Sequence, residues 1–323
     1  MTALVSAENL TRRFGGHGWF GRGRPVQAVT DVSFSIERGE AVGLVGESGS
    51  GKSTIGRLLL GLMAPSAGGV GFDGKEFSHI RGDAARQLRR RMQLVFQDPY
   101  SSLDPRRRVG DQIADGLAIH RIVARPERRA RVEALLAQVG LPPNHADRYP
   151  HEFSGGQRQR IAIGRALSTE PEFLVADEPV SALDVSVQAQ VLALLADLRA
   201  RLGLAMLFIS HDLPVVRSLC DRVIVLYLGR VMEEGPAAEV LEDSRHPYTL
   251  ALLSAVPKLD AARRRSRIIL QGDPPSPADP PSGCVFHTRC PFVLPACREA
   301  IPPLRTVGAG HRAACIREEF ASS

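Results

Sequence analysis

The chain has 323 residues, 44% of them apolar, and a formal charge of +6, which leaves room for about two domains of roughly 100–200 residues with an ordinary globular core. No apolar run approaches the ~20 residues that span a bilayer, and Met1 to Leu10 lacks the basic flank and apolar block of a secretory signal, so a cytoplasmic protein is expected, with any membrane role carried by a partner. The basic residues are nearly all arginine, with only Lys52, Lys75 and Lys258 as lysines; such a bias follows genome composition, and no nucleic-acid partner is expected.

Val26 to Ile36 alternates in part and predicts a strand. Glu37-Arg38-Gly39-Glu40 turns the chain, and Ala41 to Val45, a short apolar run bounded by Gly, predicts a buried strand. A helix is predicted over Ile55 to Met63, since Pro65 is the first proline able to stop it. Asp73-Gly74 marks a hairpin turn, and Gln93 to Gln97 a further strand. From Val109 to Leu167 the period becomes helical, with Ile113, Leu117, Val132, Leu135, Leu136 and Val139 on apolar faces. This reads as a helical subdomain, about 100–168, inserted into an α/β core. The core resumes with a strand at Phe173 to Ala176, a helix over Val185 to Leu202, and strands at Ala205 to Ile209 and Arg222 to Tyr227. Such alternation implies a parallel sheet covered on both faces. The basic runs Arg106-Arg107-Arg108 and Arg263-Arg264-Arg265 suit a solvated face or contact with anionic lipid or an acidic partner. After about Pro257 the composition shifts. Pro274, Pro275, Pro277, Pro280 and Pro281 exclude regular structure in one stretch, and four of the five cysteines follow it. The expected division is 1–256 and 257–323.

Between a predicted strand and a predicted helix lies Gly46-Glu47-Ser48-Gly49-Ser50-Gly51-Lys52-Ser53-Thr54, which fits G-x-x-x-x-G-K-S/T. The glycines let backbone N–H groups turn inward around phosphates at a helix N-terminus. Lys52 reaches the β- and γ-phosphates of ATP, and the Ser53 hydroxyl binds magnesium. Asp177 ends an apolar strand, where ligands of such sheets bind, and suits the magnesium. Glu178 beside it can orient and polarise an attacking water.

With these segments and Ser154-Gly155-Gly156-Gln157 in one chain, the sequence resembles the ATP-binding cassette (ABC) family from Leu4 to about Gly235. The resemblance implies a P-loop nucleotide-binding domain: a RecA-like parallel core with antiparallel β and α-helical subdomains, followed here by a small Cys-rich extension. It implies a Q-loop glutamine at Gln97, binding the metal and facing a membrane partner. It implies a signature at Ser154 to Gln157 that acts on ATP held by an opposite subunit, with Phe153 where the family usually has Leu. Ser181-Ala182-Leu183-Asp184 becomes the D-loop, His211 the γ-phosphate switch, and Phe14 the adenine-stacking aromatic, although a Gly-rich insertion follows it. Gln97 to Pro105, Pro179 to Ser186 and His246-Pro247-Tyr248-Thr249 resemble the oligopeptide and dipeptide importer ATPases, as does the tail through Gly283-Cys284, Arg289-Cys290-Pro291 and Cys297. Importers of nickel, glutathione and haem share that tail. The implied partners are two transmembrane permease subunits, a second ATPase subunit and an extracytoplasmic substrate-binding protein. A soluble cassette ATPase acting on DNA or ribosomes would carry long coiled coils or a second cassette, and neither is found. A redox-regulated ATPase centred on the cysteines is the third reading.

Cys284, Cys290, Cys297 and Cys315 are spaced Cys-x5-Cys-x6-Cys-x17-Cys. A reducing compartment disfavours disulfides. Four thiolates suit zinc, though the tight pairs usual in zinc sites are missing, and they also suit an iron–sulfur cluster. The family resemblance implies a 4Fe–4S cluster, with zinc as the alternative, in a tail with little apolar core of its own. Cys220 reads as a core residue, and His287 and His311 as supporting or surface groups.

Overall fold

The computed structural model describes residues 3–15, 24–78, 80–256 and 268–317. In chain order the elements are β1 (Val5–Phe14), β2 (Val26–Ile36), β3 (Ala41–Val45), α1 (Lys52–Leu59), β4 (Ala67–Phe72), β5 (Lys75–Glu76), α2 (Gly82–Arg91), β6 (Met92–Val95), α3 (Pro99–Ser102), α4 (Val109–Ile119), α5 (Arg128–Gln138), α6 (Gly155–Leu167), β7 (Phe173–Asp177), α7 (Val185–Leu202), β8 (Ala205–Ile209), α8 (Leu213–Leu219), β9 (Arg222–Tyr227), β10 (Arg230–Pro236), α9 (Ala237–Glu242), α10 (Pro247–Ser254), β11 (Arg305–Gly308) and β12 (His311–Ala313). The second basic run, Arg263-Arg264-Arg265, and most of the Gly-rich insertion after Phe14 lie outside the described residues.

The main sheet has the order β11-β12-β10-β9-β3-β8-β7-β6. Strands β9, β3, β8, β7 and β6 are parallel neighbours. The predicted parallel sheet is thus present, but β10, β11 and β12 extend it antiparallel at one side. Successive side chains on a strand point to opposite faces. Val42 and Leu44 of β3 and Leu207 of β8 accordingly join α1 and the small sheet β2-β1-β4-β5 in one core. Ala41, Val45, Met206 and Phe208 join the helical region and α7 in the other. Burial on both faces is why β3 and β8 are apolar throughout.

Helix α1 ends at Leu59 and does not reach Met63. Gly61 takes a left-handed φ of 60°; its N–H reaches the Leu58 carbonyl, and the N–H of Leu62 reaches that of Arg57, at 3.0 Å each. This double bond at a left-handed glycine ends helices without any proline. The Asp73-Gly74 turn forms as expected, both residues at positive φ between paired Phe72 and Lys75. The apolar positions of α4 and α5 are buried against Ile161 and Ile163 of α6, which makes the helical layer.

The Pro-rich stretch from 268 onward has neither helix nor strand, as its prolines require. The extension is nevertheless built into the core. Strand β12 pairs with β10, and Cys284, Phe286 and Cys297 lie within the main core cluster. The Gln27 N–H also donates to the Pro277 carbonyl at 2.9 Å, tying β2 to the Pro-rich segment.

Candidate active site

The phosphate loop leaves the carboxyl end of β3 and enters α1. A Cβ at Gly46, whose φ is 151°, would meet the Leu226 carbonyl oxygen at 2.1 Å, and one at Gly51, φ 102°, that of Ala28 at 2.2 Å. The loop is therefore pressed against β9 and β2, which only glycine permits. Lys52 is buried, and its Nζ donates to the carbonyls of Gly46 at 2.7 Å and Glu47 at 2.8 Å. Burial lowers the pKa of Lys52, while the charges of Glu178, Asp177 and Glu47 raise it. Three carboxylates thus support its charge.

The Ser53 hydroxyl donates to Asp177 Oδ1 at 2.9 Å. Burial pushes the Asp177 carboxyl above its ordinary range, although the Ser53 bond opposes it. A buried carboxylate beside a hydroxyl is a hard-oxygen donor set that a small divalent cation would stabilise. These two residues, with the side-chain amide of Gln97 nearby, fit magnesium, which would neutralise charge on the β- and γ-phosphates.

Glu178 is held from three sides. Gln97 Nε2 donates to its carboxylate at 3.0 Å, His211 Nδ1 lies 3.5 Å from the same oxygen, and its N–H donates to the Ile209 carbonyl at 2.9 Å. Its φ of 47° is left-handed, a conformation costing a glutamate about 1–3 kcal/mol and kept where function requires it. A cavity of about 440 Å³ collects Ser48, Gly49, Lys52, Ser53, Thr54, Gln97, Glu178 and His211, with Ala28 as its floor. The sequence-predicted loop, carboxylates, glutamine and histidine therefore meet at one place. A water beside Glu178 can pass its proton to that carboxylate as it attacks the terminal phosphoryl group.

Phe14 stands apart. It ends β1 opposite Val26, under the Arg12 guanidinium at 4.7 Å, and it does not line this cavity.

The signature is built but also stands outside the cavity. Ser154 caps α6: the Gln157 N–H donates to Ser154 Oγ at 3.4 Å, and the Ser154 N–H to Gln157 Oε1 at 3.1 Å, a reciprocal capping box. A Cβ at Gly156 would lie 2.2 Å from Val187 Cγ1, and one at Gly155 3.2 Å from Leu183 Cδ2. These glycines let the start of α6 lie close to α7 and the D-loop. Ser181 Oγ in turn donates to the Glu178 carbonyl at 3.1 Å. Ser181, Ala182, Leu183 and Asp184 thus bridge Glu178 to the signature.

All five cysteines are free thiols. Burial pushes Cys284 and Cys290 up to about 11, and nearby tail thiols push further; Cys315 is raised by burial and by Cys297. The Cys284 N–H donates to the Cys297 carbonyl at 2.8 Å. Among the described residues, however, no group of three or more His, Cys, Asp or Glu side chains is placed to hold a metal ion. Neither the expected cluster nor its zinc alternative therefore has a formed ligand group among the described residues. His287 Nδ1 lies 2.8 Å from the Cys284 carbonyl oxygen. His311 is no surface group: it is buried, 2.7 Å from Glu233. Cys220 is a core residue with its thiol pushed up to about 12 by burial.

Two residues at the loop carried no sequence expectation. Tyr248 accepts the Glu47 N–H at 2.8 Å, and Arg289 donates to the Glu47 carboxylate at 2.6 Å. Contacts 201 and 242 residues apart leave no mark in spacing or period.

Phosphate loop, metal carboxylate, glutamine, histidine and a separate glycine-rich helix end together define an ATP-hydrolysing cassette. The comparisons with known proteins agree. A family model described as ABC transporter matches residues 29–181, and one described as oligopeptide/dipeptide transporter, C-terminal region, matches residues 232–297. A putative peptide import ATP-binding protein of Brucella ovis is 55% identical over 319 residues, 99% of each chain. The di/tripeptide transport ATP-binding protein DppF of Pseudomonas aeruginosa is 47% identical over 99% of each chain. Among solved structures, cbiO1 of Clostridium perfringens, part of an ABC transporter complex, aligns with a TM-score of 0.65 at 30% identity, covering 76% of this chain and 93% of that one. A dimeric ATP-binding cassette bound to ADP and Pi aligns with a TM-score of 0.63 at 30% identity, covering 72% and 98%. The chain belongs to the ATP-binding proteins of the oligopeptide/dipeptide branch of the ABC transporters.

Proposed function

We propose that the chain is the ATP-hydrolysing motor of a peptide importer, working as one half of a head-to-tail pair. The observation that carries this is the separation of two complete anion sites. Lys52 and Glu178 line one cavity, while the capped glycine end of α6 does not line it. The second site has no phosphate to bind unless another cassette supplies one. ATP then favours the closed pair because it adds contacts the open pair lacks, and hydrolysis removes them.

The cargo reading follows the relatives, whose printed names concern peptide import. No described helix is long and apolar enough to cross a membrane. In this reading the chain acts at the cytoplasmic face through two permease subunits, with a second ATPase subunit and an extracytoplasmic binding protein completing the assembly. The test is affinity purification in mild detergent followed by transport of labelled di- to pentapeptides into vesicles. ATP-dependent peptide uptake supports the reading; ATPase stimulated only by nickel, glutathione or haem overturns the cargo.

For the tail we propose a 4Fe–4S cluster held by Cys284, Cys290, Cys297 and Cys315. Four free thiols, Cys284 and Cys297 buried and Cys290 and Cys315 partly so, support it, since ionising them together needs a cationic partner. The cluster's role here is to fold the extension. Anaerobic purification with iron, sulfide and zinc analysis tests it: stoichiometric zinc without iron overturns it.

A further inference from the structure

We propose that Arg289 is a positioning residue for the phosphate loop, and that through it the cysteine-bearing extension sets the nucleotide affinity of the ATP site. The inference rests on reading residues 46–54 as that site.

Glu47, the second residue of the loop, is tied at all three of its polar groups. Its carbonyl accepts from Lys52 at 2.8 Å. Its N–H donates to the Tyr248 hydroxyl at 2.8 Å. Its carboxylate accepts from Arg289 Nη1 at 2.6 Å. Only the first of these bonds lies within the loop.

The Arg289 side chain is 8% exposed and that of Glu47 27%. Besides Glu47, Arg289 reaches the Tyr227 hydroxyl at 3.4 Å, and among the described residues its Nε has no partner. A buried guanidinium so placed depends on one carboxylate, and removing either partner leaves the other charge uncompensated. The pair is also fixed in space. Tyr227, Tyr248 and Phe286 pack with ring centres 4.8 to 5.3 Å apart, which joins β9, α10 and the extension in one aromatic wedge. Phe286 lies two residues after Cys284, and Arg289 directly precedes Cys290. The fold of the cysteine segment therefore decides where the guanidinium stands. That in turn decides where the Glu47 carbonyl holds Lys52, the residue that must turn to the phosphates.

Coupling of this kind is reciprocal: nucleotide binding must stabilise the extension as much as the extension favours nucleotide. Both directions are measurable on the full chain with a fluorescent, non-hydrolysable ATP analogue. Arg289→Met is expected to weaken analogue affinity about tenfold, and Arg289→Lys to recover most of the loss. The double variant Glu47→Gln/Arg289→Met is expected to be no weaker than the weaker single one, since both remove the same pair. In hydrogen exchange, the analogue should slow exchange over residues 284–291 in the unmodified chain and leave it unchanged in Arg289→Met. Wild-type affinity in Arg289→Met, or losses that multiply in the double variant, overturns the proposal. Should Arg289→Met show no cooperative melt, Glu47→Gln decides: loss of the nucleotide effect on residues 284–291 supports the coupling, and an intact effect overturns it. If the unmodified chain binds no analogue, the ATP-site reading itself falls, and the coupling with it.

Discussion

Glu178→Gln isolates the charge of one carboxylate with almost no change of shape. The left-handed backbone at φ 47° and the N–H bond to Ile209 involve no side-chain atom and should persist. An amide can still bond to Gln97 and stay near His211, now 3.0 Å and 3.5 Å away. What it cannot do is accept a proton from water. General-base catalysis is worth about 10²- to 10⁴-fold, so turnover should fall at least about a hundredfold, or ~2.7 kcal/mol in the barrier at 1.36 kcal/mol per tenfold. Binding should move the other way. Glu178 is the largest charge supporting Lys52, but it also faces the terminal phosphate, so its neutralisation removes repulsion where ATP is most anionic. The expectation is unchanged or tighter ATP affinity, with accumulation of a closed, ATP-loaded pair. The assay is steady-state hydrolysis in the assembled transporter, with both cassettes substituted, beside equilibrium binding of ATP. Turnover within threefold of wild type refutes the role of Glu178, and a tenfold loss of affinity refutes the account of its surroundings.

Gly156→Ala places a methyl group where Val187 Cγ1 now lies, at 2.2 Å; overpacking should cost about 1–3 kcal/mol and displace the capped end of α6. ATP affinity of the separate chain should change less than twofold, while turnover of the assembled transporter drops at least about tenfold; a parallel loss in both would place the signature in the same site as Lys52. The permease-dependent coupling predicts that the purified chain alone is a poor ATPase; cargo-independent hydrolysis at the rate of the full complex would refute it. Burial depresses the pKa of His246 to about 3, below its unfolded value near 6.5. The unfolded chain therefore binds the extra proton between those values, and stability should fall with pH below about 6.5, by up to ~1.4 kcal/mol per unit. Urea unfolding at pH 7, 6 and 5 measures the slope, and His246→Gln should flatten it by about one proton.

The catalytic half of the site was legible because its residues are contiguous: a loop of nine residues and an adjacent carboxylate pair have few alternative meanings when strands and helices fall around them. The meeting of Gln97, Glu178 and His211 was legible only through family resemblance. Helix α1 ends before the Met63 that Pro65 would allow, because Gly61 stops it by its backbone alone. Strand β10 gave no signal. Its Glu233 and Glu234 are buried, where His311 and Arg312 of the extension meet them. For β10 the missing information was a pairing between distant segments, which local period and propensity do not encode.

The hairpin β11–β12 has a further consequence for anyone shortening this protein. Cutting the chain after α10, at the foot of the apparent cassette, would not release a smaller working enzyme. It would strip β10 of its neighbour and open a row of unpaired backbone groups at the margin of the sheet, the kind of margin that recruits other chains. It would also take the His311 ring from buried Glu233 and the Arg312 guanidinium from buried Glu234. The truncated product should be found in inclusion bodies, and the residues that look like an appendage are best regarded as the seam that closes the molecule.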